Sequence, residues 1–135
     1  MSMNYYNTLI EVAEDCPVAE AEVPQSKGGK KTKAVLDYEM IANHPYTYTE
    51  EEVAFEVYAV THGISKADRP KERQKLLSQG HPHLRVSALG KRYGWGIYNN
   101  AEGKTALVAV ESAEYKRLVD DPGVKKVKAF RSKQA

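Results

Sequence analysis

The sequence predicts an α+β fold, with a largely antiparallel sheet of about four strands packed against three to four helices. Two observations favour this class. Residues 95–98 and 104–110 are rich in strand formers and are separated by turn residues, a pattern typical of a β-hairpin. Helical patterns cluster between residues 32 and 93 instead of alternating with strands, which argues against a series of parallel βαβ units.

The N-terminal region predicts one strand followed by a long loop. In residues 6–13, Ile10 and Val12 alternate with Glu11, as expected for a strand with one buried face. Residues 14–32 show no periodicity and contain two prolines and a glycine pair. We therefore expect a loop at 14–32, and loops beyond about 12–15 residues in compact domains are frequently functional.

Three helices are predicted in the middle of the chain. The first spans residues 32–43 and ends there because Pro45 disfavours helical geometry at the residue before it. The second starts at Thr49, since Thr49 and Glu52 have the spacing of a capping box, and it ends before a glycine. The third spans residues 68–79, and its mainly polar and basic side chains are typical of a solvated surface helix.

The C-terminal half of the chain holds the remaining predicted elements. Residues 81–86 fit neither pattern. After them we expect a short helix at 87–93 with Ser87 as its cap, the hairpin at 95–110, a helix at 112–121 with Ser112 as its cap, and a last strand at 124–131. We expect the hairpin at the centre of the sheet because its strand character is the most continuous, with Leu107 or Val108 facing the core. Residues 132–135 are predicted to be a frayed tail.

Length and composition predict a single globular domain over residues 1–135. The chain has 41% hydrophobic and 28% charged residues, an ordinary globular composition. Cys16 is its one cysteine, so no intramolecular disulfide can form. The N-terminus lacks the pattern of a signal peptide, and no apolar run is long enough to span a bilayer. These observations predict a cytoplasmic protein.

Charge is distributed unevenly along the chain. Residues 1–65 carry 4 basic and 11 acidic side chains, whereas residues 66–135 carry 16 basic and 7 acidic ones. The leading hypothesis is a binding or interaction domain whose basic side chains contact nucleic acid or another polyanion. Its candidate residues combine cations with one stacking ring and are Lys30, Lys31, Lys91, Arg92, Trp95, Lys128 and Arg131. The alternative interpretation is that the two halves neutralise each other and that Trp95 anchors the core.

Two further hypotheses remain open. The first is a small enzyme or ligand-binding protein with a pocket near the 14–32 loop and the 44–48 segment, whose candidate residues are Cys16, His44, Tyr46 and Tyr48. The second is a protein–protein interaction or homodimerisation module that uses exposed tyrosines. No catalytic residue and no cofactor is predicted. No metal site is predicted either, because the pair His81 and His83 lacks further ligands at diagnostic spacing.

Three stretches of the chain carry motifs that are specific to one family. They are Tyr6-Asn7-Thr8 with Glu11-Val12-Ala13 and Asp15-Cys16-Pro17; residues 44–49 with Val53, Phe55 and Val57-Tyr58-Ala59; and residues 89–97 with Glu111-Ser112 and Tyr115. Through these stretches, which cover nearly the whole chain, it resembles a family of small single-domain bacterial proteins of unassigned function. The resemblance implies no catalytic residue, cofactor or partner.

Overall fold

The computed structural model describes residues 4–26, 28–29, 31–79 and 83–131, and this part of the chain contains four strands and six α-helices. The strands are β1 (Thr8–Glu11), β2 (Trp95–Asn99), β3 (Thr105–Ala109) and β4 (Lys125–Lys128). The helices are α1 (Lys33–Asn43), α2 (Glu50–Thr61), α3 (Arg69–Gln79), α4 (His83–Val86), α5 (Ala88–Lys91) and α6 (Ala113–Asp120). One 3₁₀ turn, Lys66–Asp68, precedes α3.

The four strands form one mixed sheet in the order β3–β2–β1–β4. The pairs β1–β2 and β2–β3 are antiparallel, and β4 runs parallel to β1. These observations confirm the α+β class and the largely antiparallel sheet. The expected central position of the hairpin is wrong for β3, which is an edge strand. Thr8, Leu9 and Ile10 of β1 are all buried, so β1 shares the centre with β2.

Helices cover both faces of the sheet. Ile10 and Ile97 belong to a buried cluster that includes side chains of α1, α2 and α4. Leu9 and Val108 belong to a second cluster on the opposite face, where they pack with Leu118 of α6. Because successive side chains of a strand point to opposite faces, each central strand contributes to both clusters.

Side-chain caps fix the helix starts at the predicted residues. The Thr49 hydroxyl accepts from the Glu52 N–H at 3.3 Å, and the Glu52 carboxylate accepts from the Thr49 N–H at 3.0 Å. This reciprocal pair confirms the capping box, and Ser87 and Ser112 cap α5 and α6 as predicted. Thr32 caps α1. The helices that begin at these caps, α1, α2 and α5, lie next to α4, the segment that the sequence pattern did not assign.

Several predicted boundaries differ from the observed ones. The last strand is shorter than its prediction of 124–131, because its partner β1 ends at Glu11, whose carbonyl accepts the last hydrogen bond of the ladder from the Ala129 N–H. The 14–32 loop has no helix or strand in its described residues. The predicted tail at 132–135 lies outside the described residues. In the part of the chain that the structure describes, no helix has the length and apolar character needed to cross a bilayer.

Candidate ligand-binding site

A buried carboxylate, Asp37, joins α1 to the segment around α4. Asp37 is only 1 % exposed. Its Oδ1 lies 2.7 Å from Nε2 of His83, and its Oδ2 accepts a 2.8 Å hydrogen bond from the Ser87 hydroxyl. A buried carboxylate requires such partners, because an uncompensated charge in the interior is strongly destabilising.

A second buried carboxylate, Glu50, lies in the same region. It is the first residue of α2 and is fully buried. Its Oε1 accepts a 2.9 Å hydrogen bond from the Leu84 N–H, whereas its Oε2 has no hydrogen-bond partner among the described residues. Carboxylates from two different helices therefore hold the single turn of α4.

The pKa values of this cluster are perturbed by burial and by neighbouring charge. Burial raises the pKa of Glu50 to about 7, which outweighs the lowering by the Leu84 N–H and by the charge of His83. Burial by itself would lower the pKa of His83, but the hydrogen bond and charge of Asp37, with the charge of Glu50, raise it overall, and nearby Lys33 opposes them. His83 therefore keeps its proton to a higher pH than an exposed histidine does.

His83 forms part of the wall of a cavity of about 270 Å³ between the start of α1, α2, α3 and α4. The innermost lining side chains, Ala54, Val57 and Leu76, are apolar and buried. The other lining residues are more exposed and are Lys33, Tyr58, Thr61, His62, Gln79 and Val86. The cavity is thus apolar inside, and polar groups surround its opening.

The contact with Asp37 leaves the second imidazole nitrogen of His83 available to another group. Nε2 of His83 is taken by Asp37, and Nδ1 has no hydrogen bond to any described residue. An imidazole fixed by a carboxylate in this way can donate or accept a proton at its other nitrogen. Ser87 bonds to Asp37 and not to His83, so the cluster lacks the order of a Ser–His–Asp triad. Within the described residues, no group of three or more His, Cys, Asp or Glu could hold a metal ion.

Two of the four predicted pocket residues line a different cleft. His44 and Tyr48 are in T-shaped contact, with ring centroids 5.6 Å apart, and they line an open cleft of about 580 Å³ between α1, α2 and α3. Tyr46 packs instead against Tyr98, and Cys16 lines neither this cleft nor the cavity beside His83. The predicted pocket is therefore only half assembled from its candidate residues.

Most charges of that open cleft are already paired. Its three carboxylates form ion pairs. Glu39 pairs with Lys31 at 2.7 Å, Glu56 with Arg69 at 2.8 Å, and Glu52 with Lys104 at 3.7 Å. No described residue of the 14–32 loop lines the cleft, although Lys31 pairs with Glu39 of its lining. An acidic and basic lining with its charges neutralised internally attracts a charged ligand less than an unpaired group does.

Some of the predicted polyanion-binding residues are engaged within the molecule. Lys31 pairs with Glu39, and Lys128 lies 3.3 Å from Glu14. Both pairs are exposed and contribute little to stability, but they reduce the local positive charge. Lys30 lies outside the described residues.

Three of the other predicted cations are not neutralised by ion pairs with described residues. Lys91, Arg92 and Arg131 form no ion pair with any described residue. The Gly90 backbone lies so close to Ala129 that a Cβ at Gly90 would stand 2.9 Å from the Ala129 methyl. This contact places the end of α5, with Lys91, beside the chain that follows β4.

Trp95 is held by the 14–32 loop. Its indole N–H donates to the Glu22 carbonyl at 2.8 Å, and its ring lies 5.6 Å from that of Tyr38. The Glu22 N–H in turn donates to the Tyr93 carbonyl at 2.8 Å. The ring is half-buried by these contacts, so it is neither a fully buried anchor nor a ring open on both faces for base stacking.

Comparison with known proteins identifies the family but supplies no activity. The model of a family of unknown function, DUF6157, matches residues 1–135. The chain belongs to this family. The assignment confirms the resemblance to a family of unassigned function. No curated protein and no solved structure matches the chain. For this member of the DUF6157 family, function must be inferred from its own geometry.

The sequence analysis did not select the residues of the Asp37–His83 cluster as a site. Ser87 was predicted only as a helix cap, and His83 only as half of a weak metal motif. A signal was present for Asp37, which lies between Ala34 and Ile41 on the buried stripe of α1. A carboxylate on such a stripe requires a buried partner, but the sequence does not specify which one.

Proposed function

We propose that the protein binds a small organic molecule in the cavity beside His83, with this imidazole as the main polar contact. The observation that supports the proposal is a carboxylate-oriented histidine on the wall of a cavity whose interior is apolar. Ligand sites are typically concave and mostly apolar, with a few oriented polar groups whose pKa values are perturbed. The proposal keeps the pocket hypothesis from the sequence but centres it on His83 instead of the 44–48 segment.

The size of the cavity supports a small ligand. Its volume of about 270 Å³ exceeds that of an engineered apolar cavity of roughly 150 Å³ that binds benzene. A molecule with one ring or a short branched chain and one polar group would fill it.

The position of His83 also supports a role beyond anchoring α4. Leu84 already anchors this turn, since its side chain is fully buried and its N–H donates to Glu50. A histidine that served packing alone would have both ring nitrogens satisfied inside the protein. His83 instead satisfies one nitrogen at Asp37 and lines the cavity.

Binding can be tested by NMR with three probes that share one apolar body. Benzyl alcohol, benzoate and benzylamine are neutral, anionic and cationic at neutral pH. With about nine heavy atoms at roughly 0.3–0.5 kcal/mol each, such probes bind with Kd values of about 0.5–10 mM. We expect at least one probe to shift the amide signals of Ala54, Val57 and Leu76 with a saturable dependence on concentration.

Two exposed valines provide a matched pair of variants for this titration. Val86 lines the cavity, whereas Val60 is similarly exposed but does not line it. Val86→Trp should abolish binding by narrowing the opening, and Val60→Trp should leave it unchanged. The proposal is wrong if no probe gives a saturable shift, or if both variants bind as the native protein does.

A second candidate function, polyanion binding, is favoured by Lys91, Arg92 and Arg131, which form no ion pair with any described residue. Fluorescence anisotropy with labelled single- and double-stranded oligonucleotides tests it at low and moderate salt. The double change of Lys91 and Arg92 to Ala should weaken binding for every sequence, and added salt should weaken it further, because phosphate contacts release counterions. Absence of binding at micromolar protein and low salt would exclude this candidate.

A further inference from the structure

We infer that the ligand class of the cavity is a small monocarboxylate with an apolar body. This inference rests on the proposed function, because it requires that the cavity binds a small molecule at all. It goes further by assigning the charge and the polar head of that molecule from the groups around the opening.

The charges around the cavity favour an anion. Its lining includes the cation of Lys33 beside the imidazoles of His62 and His83, whereas none of the described lining residues is acidic. Lys33 is also the first residue of α1, where the positive end of the helix dipole lies. A carboxylate placed between Lys33 and Nδ1 of His83 would receive charge-assisted hydrogen bonds, the stronger class of hydrogen bond.

Asp37 compensates much of the charge of His83, so the preference for an anion rests mainly on Lys33, which forms no ion pair with any described residue. Asp37 stands behind the imidazole and accepts from Ser87 as well as pairing with His83. Glu50 is fully buried and accepts from the Leu84 N–H. Neither carboxylate lines the cavity, so a ligand at its opening meets the cations first.

The apolar interior of the cavity determines the chemical character of the ligand beyond its carboxylate. Ala54, Val57 and Leu76 offer no polar side-chain atom to a molecule that enters between them. A dicarboxylate or a sugar would leave polar groups there without hydrogen bonds, which is unfavourable. A single carboxylate at the opening with a ring or branched chain inside satisfies both ends of the cavity.

The affinities of the full-length protein for benzoate, benzyl alcohol and benzylamine test this assignment. We expect benzoate to bind about 10-fold more tightly than benzyl alcohol, the gain of one charge-assisted hydrogen bond, and benzylamine to bind most weakly. If benzyl alcohol or benzylamine binds as well as benzoate, the assignment to carboxylates is wrong while the proposed function stands. If none of the three binds, the proposed function itself fails.

Two substitutions identify the groups that recognise the charge. Lys33→Gln changes an exposed side chain and His83→Gln changes the imidazole, while Lys116→Gln and His44→Gln are matched controls outside the cavity. We expect Lys33→Gln to weaken benzoate binding about 10-fold without changing benzyl alcohol binding, His83→Gln to weaken the binding of both probes, and both controls to bind both probes normally. The inference is overturned if Lys33→Gln weakens both probes equally, or if it weakens neither of them.

Discussion

At the scale of single residues, Asp37 determines the protonation state and the ring orientation of His83. A histidine buried among Val57, Leu76 and similar side chains would lose its proton, because burial disfavours the charged form. The 2.7 Å contact with the Asp37 carboxylate reverses this and fixes the orientation of the ring. The side chains of Asp37, Glu50 and His83 are therefore coupled, and a change at one of them shifts the pKa of Glu50 or His83.

Asp37→Asn should lower the pKa of His83 and destabilise the protein. The amide keeps the size of the carboxylate but not its charge, so burial of the imidazole is no longer opposed. We expect a loss of about 1–3 kcal/mol in the free energy of unfolding. An NMR titration of the His83 ring measures the pKa, with the exposed residue change Asp120→Asn as control. An unchanged His83 pKa would contradict this description of the pair.

Stability should fall as pH rises through neutrality. The pKa of Glu50 is about 7 in the folded protein against 4.5 for a free side chain, so its protonated form stabilises the fold at low pH, and this contribution is lost between these values. The raised pKa of His83 acts in the same direction, since its contribution is lost above 6.5. Asp37, Lys33 and Arg85 are the other charged groups that act on this pair.

Glu50→Gln isolates the contribution of Glu50. Gln retains an acceptor for the Leu84 N–H but does not titrate, so the variant should lose less stability between pH 5 and pH 8 than the native protein. The difference is at most roughly 3 kcal/mol, because each unit of pKa shift corresponds to 1.36 kcal/mol. Urea denaturation at both pH values measures it. An identical pH dependence in the two proteins would show that Glu50 does not titrate in this range.

At the scale of elements, local signals in the sequence predicted most helix starts and the hairpin. The capping box at Thr49 and the caps at Ser87 and Ser112 are short-range hydrogen bonds, so the sequence encodes them directly. α4 was not predicted, because a single helical turn has almost no intrinsic stability. Its structure depends on hydrogen bonds to the carboxylates of Asp37 and Glu50, which lie more than 30 residues away in sequence.

The contact between α6 and the sheet depends on the absence of a side chain at Gly96. A Cβ at this position in β2 would lie 2.6 Å from the Tyr115 ring of α6. Gly96→Ala should therefore destabilise the protein by about 1–3 kcal/mol through overpacking. Gly123→Ala, at an exposed turn, is the control and should have little effect. Thermal unfolding of both variants gives the comparison, and equal stability would mean that α6 does not pack as described.

At the scale of the whole molecule, the sequence predicted the fold class but not the strand order. Strand order depends on which residues of the short β1 become buried on both faces, and this is decided by packing against helices far along the chain. The candidate site was predicted even less well. Asp37, Glu50 and His83 come from three separate segments, and only the folded chain brings them together.

The observed strand order reverses the expected importance of two core residues. Ile97 of the central strand β2 is fully buried, whereas Leu107 of the edge strand β3 is only partly buried. Ile97→Ala should cost about 2–5 kcal/mol, and Leu107→Ala about 1 kcal/mol. Chemical denaturation measures both. A larger loss for Leu107→Ala would contradict the edge position of β3 and the central position of β2.

The central claim is that a small molecule occupies the cavity beside His83, and intermolecular nuclear Overhauser effects test it most directly. The measurement uses the 135-residue chain with an excess of benzoate and with methyl-labelled valine, leucine and methionine, so that Met40 reports on the open cleft. The structure predicts contacts from the ring protons of benzoate to the methyl groups of Val57, Leu76 and Val86. Contacts confined to the open cleft near His44 and Tyr48, or no contacts at all, would contradict the claim.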